Sequence, residues 1–548
     1  MITFLQNDFS AGCNLFAHDS ILGQNEYGLS FNVENRSSGL TPIKDDLEDI
    51  HAPAGFKQSI FAFDKYLVLF NSGLCYYKEV DDTNWIQVED IFVDPLVDYI
   101  FTCAVPASTF NFKRALEIPD QVNGTSANTN IVVQSTQINT LNAGLVIQDG
   151  INQPWFLTPD AEAIRLNRYN EWTLEDRQYV PIMRNMVFMD GRLFGVSADK
   201  KKIYRSVSGR PIDFVVNVDI NSNKGGDADT TSYAVSFDDI TLLKPLNSGE
   251  LLAGTKRTLY PIEFNYERTI FAESTFYNRK PISVGAVNQE SFVDILGDYA
   301  IIDFDGLRQF NAVSLLTNEG RNSIFSLLIS KVFNNIKQVY NQTASIVFNN
   351  FAFFSVKTIY GNVLCVYDTL KQKWVGLYTI EAPIKQFAIA DTSENPTLYG
   401  ITATKVLKLF SSSDYRQARV RFKAINSGQA STEIKLRNIR AVFDESTSTS
   451  QVIATEIVNN RVRKSVTQTI AKTAPGILYP VLFPVTYYSS GTTDNIHFNF
   501  ERLSKIGWKV APELRWQNSA KLLLLEVNAD EITNQTSLSQ QGTLYTQG

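Results

Sequence analysis

The sequence predicts an all-β protein, a β-propeller of roughly six to eight blades followed by a C-terminal β-sandwich. Three observations carry that expectation. Aromatic residues make up 12% of the chain, with 36 Phe and 23 Tyr, and Val, Ile and Thr are plentiful; that mix suits pleated, half-buried surfaces. Short apolar runs alternate with tight-turn residues along most of the length. A particular turn signal, Asp-Gly after an apolar strand, recurs at Asp149-Gly150, Asp190-Gly191 and Asp305-Gly306. The first two stand 41 residues apart, close to the roughly 40–50 residue period of propeller repeats.

The clearest unit is Phe56–Val88, "FKQSIFAF-DK-YLVLF-NSG-LCYYKEV-DDTN-WIQV", which reads as four strands joined by three short turns. A four-stranded antiparallel meander is the unit of a propeller blade. Imperfect copies begin near Gly144, at Tyr179 ("YVPIM-RN-MVFM-DG-RLFGVS"), at Glu290 ("ESFVDIL-GD-YAIIDF") and at Ala344 ("ASIVF-NN-FAFFSV"). The run "IKQFAIA…PTLYGITATKVLKLF" closes the series. One window breaks the β pattern. Ser323–Tyr340 spaces Phe325, Leu328, Ile329, Val332, Phe333 and Ile336 at helical intervals and predicts a helix between two blades.

From about Ala418 the strands lengthen, alternate apolar with polar residues and need longer connections, as in a separate sandwich with one face of each sheet buried. The expected organisation is therefore a 1–55 segment packing on the propeller, a propeller over 56–415, a sandwich over 416–530 and a polar tail over 531–548. A chain of 548 residues exceeds one ordinary core, which agrees with several compact units.

Composition narrows the function. The net charge of −7 disfavours a surface that grips nucleic acid through its phosphates, although an acidic wall past which DNA slides remains compatible. The four cysteines (Cys13, Cys75, Cys103, Cys365) are widely spaced and fit neither a zinc site nor a disulfide framework; a reducing compartment is expected. Only three histidines are present (His18, His51, His497), and histidine is the side chain most often recruited for acid–base catalysis. The N-terminal residues show no secretion signal, and apolar runs such as "KLLLLEV" are far below a membrane span. Synthesis in a cytoplasm, no membrane span, no cofactor and no metal are the expectations.

The stretch "NVDINSNKGGDADTT" (Asn217–Thr231) is the densest in polar turn-forming residues. As a calcium loop starting at Asp219 it places Asn221 and Asn223 correctly, but Lys224 replaces the turn glycine and Thr230 the bidentate carboxylate. As a phosphate loop it has Lys224 before Gly225-Gly226 rather than after them. The residues serve as turn makers in a long connection, with Asp219, Asn223, Lys224, Asp227 and Asp229 as candidates for a channel or inter-subunit contact. Asp303 and Asp305 share a strand face and are the nearest thing to a glycosidase pair, against the plainer reading in which Asp305 sets a turn. In "VYDTLKQKW" (Val366–Trp374) the Asp-before-Trp pattern marks blade packing. Arg205, Arg210, Arg268, Arg279, Arg308 and Arg321 are scattered, as surface ion pairs or channel-lining groups would be. No nucleophile elbow or Cys/His couple is present.

Several phrases in order, "NRSSGLTPI", "AVPASTFNFKR", "GLVIQDGINQPWFLTPD", "RSVSGRPIDFVVNVDINSNKGGDADTTSYAVSFD", "IIDFDGLRQFNAV" and "NEGRNS", resemble the nozzle proteins of short-tailed bacteriophages. That family is also described as tail tubular protein B, tail hub or packaged-DNA stabilisation proteins. The likeness runs to about Ser413 and weakens in the C-terminal sandwich. It implies a virion protein, a homohexameric ring below the portal and its adaptor that prolongs the DNA channel. It further implies tail fibre or tip proteins as neighbours, and double-stranded DNA passing through without sequence-specific contact. No active site comes with the resemblance. Two other classes compete: a propeller that binds or degrades surface glycan, with Asp303 or Asp227/Asp229 at a propeller mouth, and a cytosolic propeller scaffold for peptides.

Overall fold

The computed structural model describes residues 2–15, 21–35, 39–106, 108–109, 140–141, 143–166, 180–206, 209, 211–212, 214, 233–234, 238–246, 249–262, 281–311, 329–333, 335–391, 395–426, 432–444, 450–470, 496–500 and 506–533. Among them, seven antiparallel meanders follow one another along the chain. The first holds Lys57–Phe63, Tyr66–Asn71, Leu74–Glu79 and Ile86–Phe92, each paired with the next. The others have inner strands Phe101–Val105, Met183–Met189, Ile240–Pro245, Phe292–Ile295, Ala344–Phe348 and Gln386–Asp391.

These sheets are arranged radially. Lys57–Phe63 lies against Phe101–Val105, which lies against Met183–Met189, and that against Ile240–Pro245. A 3-10 turn at Gln289–Ser291 carries the contact into the fifth blade; Phe292–Ile295 touches Ala344–Phe348, which touches Gln386–Asp391, which returns to Lys57–Phe63. A separate apolar cluster fills each interval. Val68 and Phe70 of the first blade meet Leu145 and Ile147 of the second, and Leu67 and Leu69 meet Tyr399 and Ile401 of the seventh. The strands are apolar on both faces because each blade is covered on both sides by its neighbours. The described residues form a seven-bladed propeller with a β-sandwich, within the six-to-eight range expected.

The turn reading of the Asp-Gly pairs holds at the atomic level. Asp190 and Gly191 both take positive φ (50° and 71°), as a two-residue hairpin with right-handed strand twist demands. The Asp149 carboxylate accepts the N–H groups of Ile151 (2.8 Å), Asn152 (2.7 Å) and, from the first blade, Asp94 (2.9 Å). Burial alone would raise this carboxyl, but the hydrogen bonds from Asn152 and Asp94 hold it below its ordinary value. Asp368 likewise accepts from Leu370 and Lys371, and Trp374 beyond it is 1% exposed, so that segment does serve packing.

Four expectations need correction. The fourth blade, Ile240–Pro245, Leu251–Thr255 and Leu259–Ile262, was not among the units expected from the repeats, because its turns carry none of the Asp-Gly signal. "YVPIM" and "MVFM" are not two strands. Met183–Met189 is one strand whose register shifts between Arg184 and Val187, with Asn185 at φ 47° absorbing the extra residue. The helix over Ser323–Tyr340 is absent from its described part: residues 329–332 form a 3-10 turn and 336–339 have no regular structure. Its apolar spacing reflects Ile329, Val332 and Phe333 packing into the core beside the fifth blade. The polar tail begins later than expected, since Ile532 and Thr533 pair with Glu433 and Thr432 at the end of the Leu522–Thr533 strand.

The larger correction concerns the N-terminal segment and the sandwich, which are not separate from the propeller. One sandwich sheet contains Thr432–Phe443, Leu522–Thr533 and Ile496–Phe500, and its edge is Ile2–Gln6 from the N-terminus. The other contains Ala418–Arg421, Lys509–Trp516, Ser450–Val458 and Arg461–Ile470. This second sheet runs on into the sixth blade. The two-residue strand Ser30–Phe31 pairs in parallel with Lys373–Thr379 on one side and antiparallel with Ala418–Arg421 on the other, giving one ten-stranded sheet. Farther along the same segment, Leu47–Glu48 pairs with Val406–Lys408 as the outermost strand of the seventh blade. The ring is thus closed by N-terminal chain, as a clasp.

Local chemistry explains the seam. Asn32, at φ 55°, is buried and pairs in both directions with Thr379: its Oδ1 accepts from the Thr379 N–H (2.8 Å), and its Nδ2 donates to Thr379 Oγ1 (3.0 Å) and Gln417 O (3.0 Å). Gly376 has φ 152°, and a Cβ there would stand 2.7 Å from Ser30 Oγ, so only glycine lets the two strands approach. On the sandwich side, the fully buried Glu513 carboxylate is held by Arg419 (2.8 Å), Arg421 (3.4 Å) and Arg515 (2.8 Å). Burial would raise that carboxyl, but its bonds to Arg419 and Arg515 and the charges of Arg419 and Arg421 hold it below its ordinary value.

Two outcomes follow for this seam. Asn32→Ala removes these three hydrogen bonds and leaves buried partners unsatisfied, so urea unfolding should report a loss of about 3 kcal/mol. Glu513→Gln leaves three clustered guanidiniums short of an anion and should cost about 2–3 kcal/mol at pH 7. Because this carboxyl is depressed in the folded state, its contribution is full above the unfolded value. The gap between wild type and variant should therefore close as pH falls below about 4.

Candidate functional site

The inner strands converge on the propeller axis and leave a cavity of about 230 Å³ there. Every blade but the sixth lends it a residue from or next to its inner strand: Phe61, Phe101, Asn185, Lys244, Glu290 and Gln386 are examples. The cavity is many times larger than the roughly 10–15 Å³ that a single water requires.

Its polar side chains are fixed from behind. Gln289 accepts from the Leu243 N–H and donates to the Leu243 carbonyl, both at 2.8 Å, in the manner of a strand pair between the fourth and fifth blades. Gln386 accepts from the Ile60 N–H (2.9 Å) and donates to Glu290 Oε1 (3.4 Å), so it ties the seventh blade to the first and to the fifth. Asn288, 1% exposed, directs its amide nitrogen at the carbonyl of Thr343 (3.0 Å), its Oγ1 (3.1 Å) and the carbonyl of Tyr340. That sets the orientation of the amide: the nitrogen faces acceptors, so Oδ1 faces away from them. Among the described residues the buried Asn185 Oδ1 receives no hydrogen bond, and the buried Asn288 side chain accepts only from the Ser291 N–H of the 3-10 turn.

The charged groups differ in how far they are engaged. Burial raises the Glu290 carboxyl above its ordinary value, with the Lys244 charge and the Gln386 bond opposing. Lys385 lies beside the cavity, donates to the Asp98 carbonyl (2.5 Å) and sits over the rings of Phe56 (4.6 Å) and Tyr99 (4.9 Å). Burial pushes its ammonium down to about 8, with the Asp98 charge opposing. Tyr99 and Tyr340 meet edge-on at 5.3 Å, and burial pushes the Tyr340 hydroxyl up to about 12.

The residues singled out from sequence lie elsewhere. Asp219, Asn223, Lys224, Asp227 and Asp229 fall outside the described residues, as do Arg210, Arg268, Arg279 and Arg321. Asp303 is buried, accepts from the Phe304 N–H (2.7 Å) and pairs with Arg308 (3.3 Å); Asp305 pairs with Lys337. The two carboxylates are committed to separate partners at a hairpin end. Arg205 contradicts the surface reading, since it is 2% exposed. Among the described residues no three His, Cys, Asp or Glu side chains converge as a metal site would require. Sequence reasoning missed Asn185, Lys244, Asn288 and Glu290, which belong to no local motif and meet only because inner strands of different blades do.

No protein-family model matches the chain, and no curated protein matches it in sequence. Among solved structures, the extracellular domain of a one-component system from B. thetaiotaomicron aligns with 81% of this chain at 9% identity and a TM-score of 0.35. The chain spans about half, 50%, of that domain's length. The Neurospora crassa Pan2 WD40 domain aligns over 67% of this chain and 96% of its own, at 10% identity and a TM-score of 0.34. At those scores the propeller assignment rests on the radial topology of this chain itself.

The raised Glu290 carboxyl carries a pH signature. A carboxyl raised in the folded state opposes folding once it ionises, so Glu290→Gln should raise Tm between pH 7 and 8. The gain should vanish below about pH 4, where the carboxyl is protonated folded and unfolded alike.

Proposed function

We propose that this chain is a non-enzymatic virion protein of a short-tailed bacteriophage, one subunit of a homohexameric ring that prolongs the portal channel, retains packaged DNA and opens for ejection. The reading is supported by the ordered phrases shared with nozzle proteins. Its strongest physical support is the ten-stranded sheet that joins the sixth blade to the sandwich. A wall that resists pressurised DNA needs domains that do not hinge against each other, and continuous backbone hydrogen bonding across the seam supplies that stiffness. The net charge of −7 suits a passage to which phosphate does not adhere. A glycan hydrolase is less well supported, because Asp303 and Asp305 are each held by a cation of the fold.

In a closed ring every subunit uses the same two unlike patches. The Asn217–Thr231 connection, with Asp219, Asn223, Lys224, Asp227 and Asp229, is the candidate contact element toward the bore or the neighbouring subunit. Portal-adaptor proteins would dock above and fibre or tip proteins below. Negative-stain imaging of the purified chain should show sixfold rings with a central hole, and mass spectrometry should find the chain in purified particles. Stable monomers together with absence from particles would overturn the reading.

A further inference from the structure

We propose that the axial cavity is a binding site for a small uncharged polyol of monosaccharide size. This does not rest on the virion reading and concerns a different part of the molecule from the channel contacts.

The argument starts from an imbalance. Asn185 and Asn288 line the cavity, and among the described residues Asn185 Oδ1 has no donor while the Asn288 side chain has the Ser291 N–H alone as donor. A buried acceptor left short of donors is destabilising, so such a site calls for a donor-bearing occupant. The Glu290 carboxylate adds further acceptor capacity, and among the described residues it receives only the 3.4 Å contact from Gln386. Against these acceptors stands the Lys244 ammonium, the one charged donor among the described residues lining the cavity. An anion would meet three oxygen acceptors; a bare cation would meet the ammonium. A neutral molecule with several hydroxyls satisfies both, donating to Asn185, Asn288 and Glu290 and accepting from Lys244.

The remaining walls fit the same molecule. Phe61, Phe101 and Phe387 line the cavity, and aromatic faces pack against the C–H face of a pyranose ring while its hydroxyls point outward to polar groups. At about 230 Å³ the space exceeds what one bridging water fills. Glu290, Gln289 and Lys244 are only half-buried, so the polar end is open to solvent. The lining is also pre-organised: Asn288 is locked through Thr343 and Tyr340, and Asn185 sits at the strand bulge with φ 47°.

Saturation-transfer NMR on the full chain, with D-glucose, D-galactose and N-acetyl-D-glucosamine each at millimolar concentration, tests this. At least one sugar should receive saturation. Asn185→Gly removes the amide while glycine tolerates the positive φ, and Glu290→Gln keeps the size of the side chain; either should weaken binding fivefold or more, with circular dichroism unchanged. Should Asn185→Gly fail to fold, Glu290→Gln alone carries the test. The proposal is overturned if none of the three sugars receives saturation, leaving a cavity that holds water alone. It is equally overturned if transfer persists undiminished in every variant that folds.

Discussion

The architecture depends on one short insertion, the Ser30–Phe31 strand lying between the sixth blade and the sandwich. Its flanking residues, Leu29 and Asn32, supply hydrogen bonds that turn two sheets into one. Asn32 N–H donates to Leu377 O (2.9 Å) and Arg421 N–H to Leu29 O (2.8 Å), so the strand is read from both flanks. Both neighbouring strands would otherwise present bare backbone edges, which are costly when buried and sticky when exposed. The insertion also sets where the rest of the N-terminal segment goes. Upstream, Ile2–Gln6 reaches the far sheet of the sandwich; downstream, Leu47–Glu48 reaches the seventh blade.

That threading makes the N-terminal segment a strap across three parts of the molecule rather than a layer packed on one. Arg416 reinforces it, pairing with Asp45 (2.8 Å) and Asp46 and donating to Thr379 O (2.5 Å), so that strap, sixth blade and sandwich linker share one buried cation. The apolar core tells the same story. Leu29, Phe31 and Val33 of the strap belong to a cluster that includes Phe354 and Trp374 of the sixth blade and Phe443 and Trp516 of the sandwich. Removing any one of these large side chains would be felt on both sides of the seam, because a close-packed interior relaxes poorly around a cavity.

Stiffness in the body contrasts with the polarity held at the axis. A propeller brings the inner strands of every blade toward one line, so side chains far apart in sequence share a small volume there. In this chain they gather Asn185, Lys244, Asn288 and Glu290, and the Glu290 carboxyl is raised by burial, with the Lys244 charge and the Gln386 bond opposing. Elsewhere carboxylates are spent on structure: Asp303 on Arg308, Asp149 on three backbone N–H groups, Glu513 on three arginines. Charge is used mostly to hold strands together.

Much of the propeller was legible because its units are local. Alternating apolar runs and turn residues at Asp149-Gly150, Asp190-Gly191 and Asp305-Gly306 express hairpin geometry that neighbouring residues enforce by themselves. The fourth blade was harder, since Ile240–Ile262 turns without that signature, and the helical spacing near Ile329 misled because packing needs can mimic a period. By itself the sequence determined the all-β character, the meanders and the lengthened C-terminal strands, all of which follow from short-range backbone preference and alternation. Only the tertiary structure decided the seven-bladed closure, the strap that fuses propeller to sandwich and the grouping of Asn185, Lys244, Asn288 and Glu290. Those depend on which distant edges meet, and edge pairing through backbone hydrogen bonds leaves almost no trace in side-chain identity.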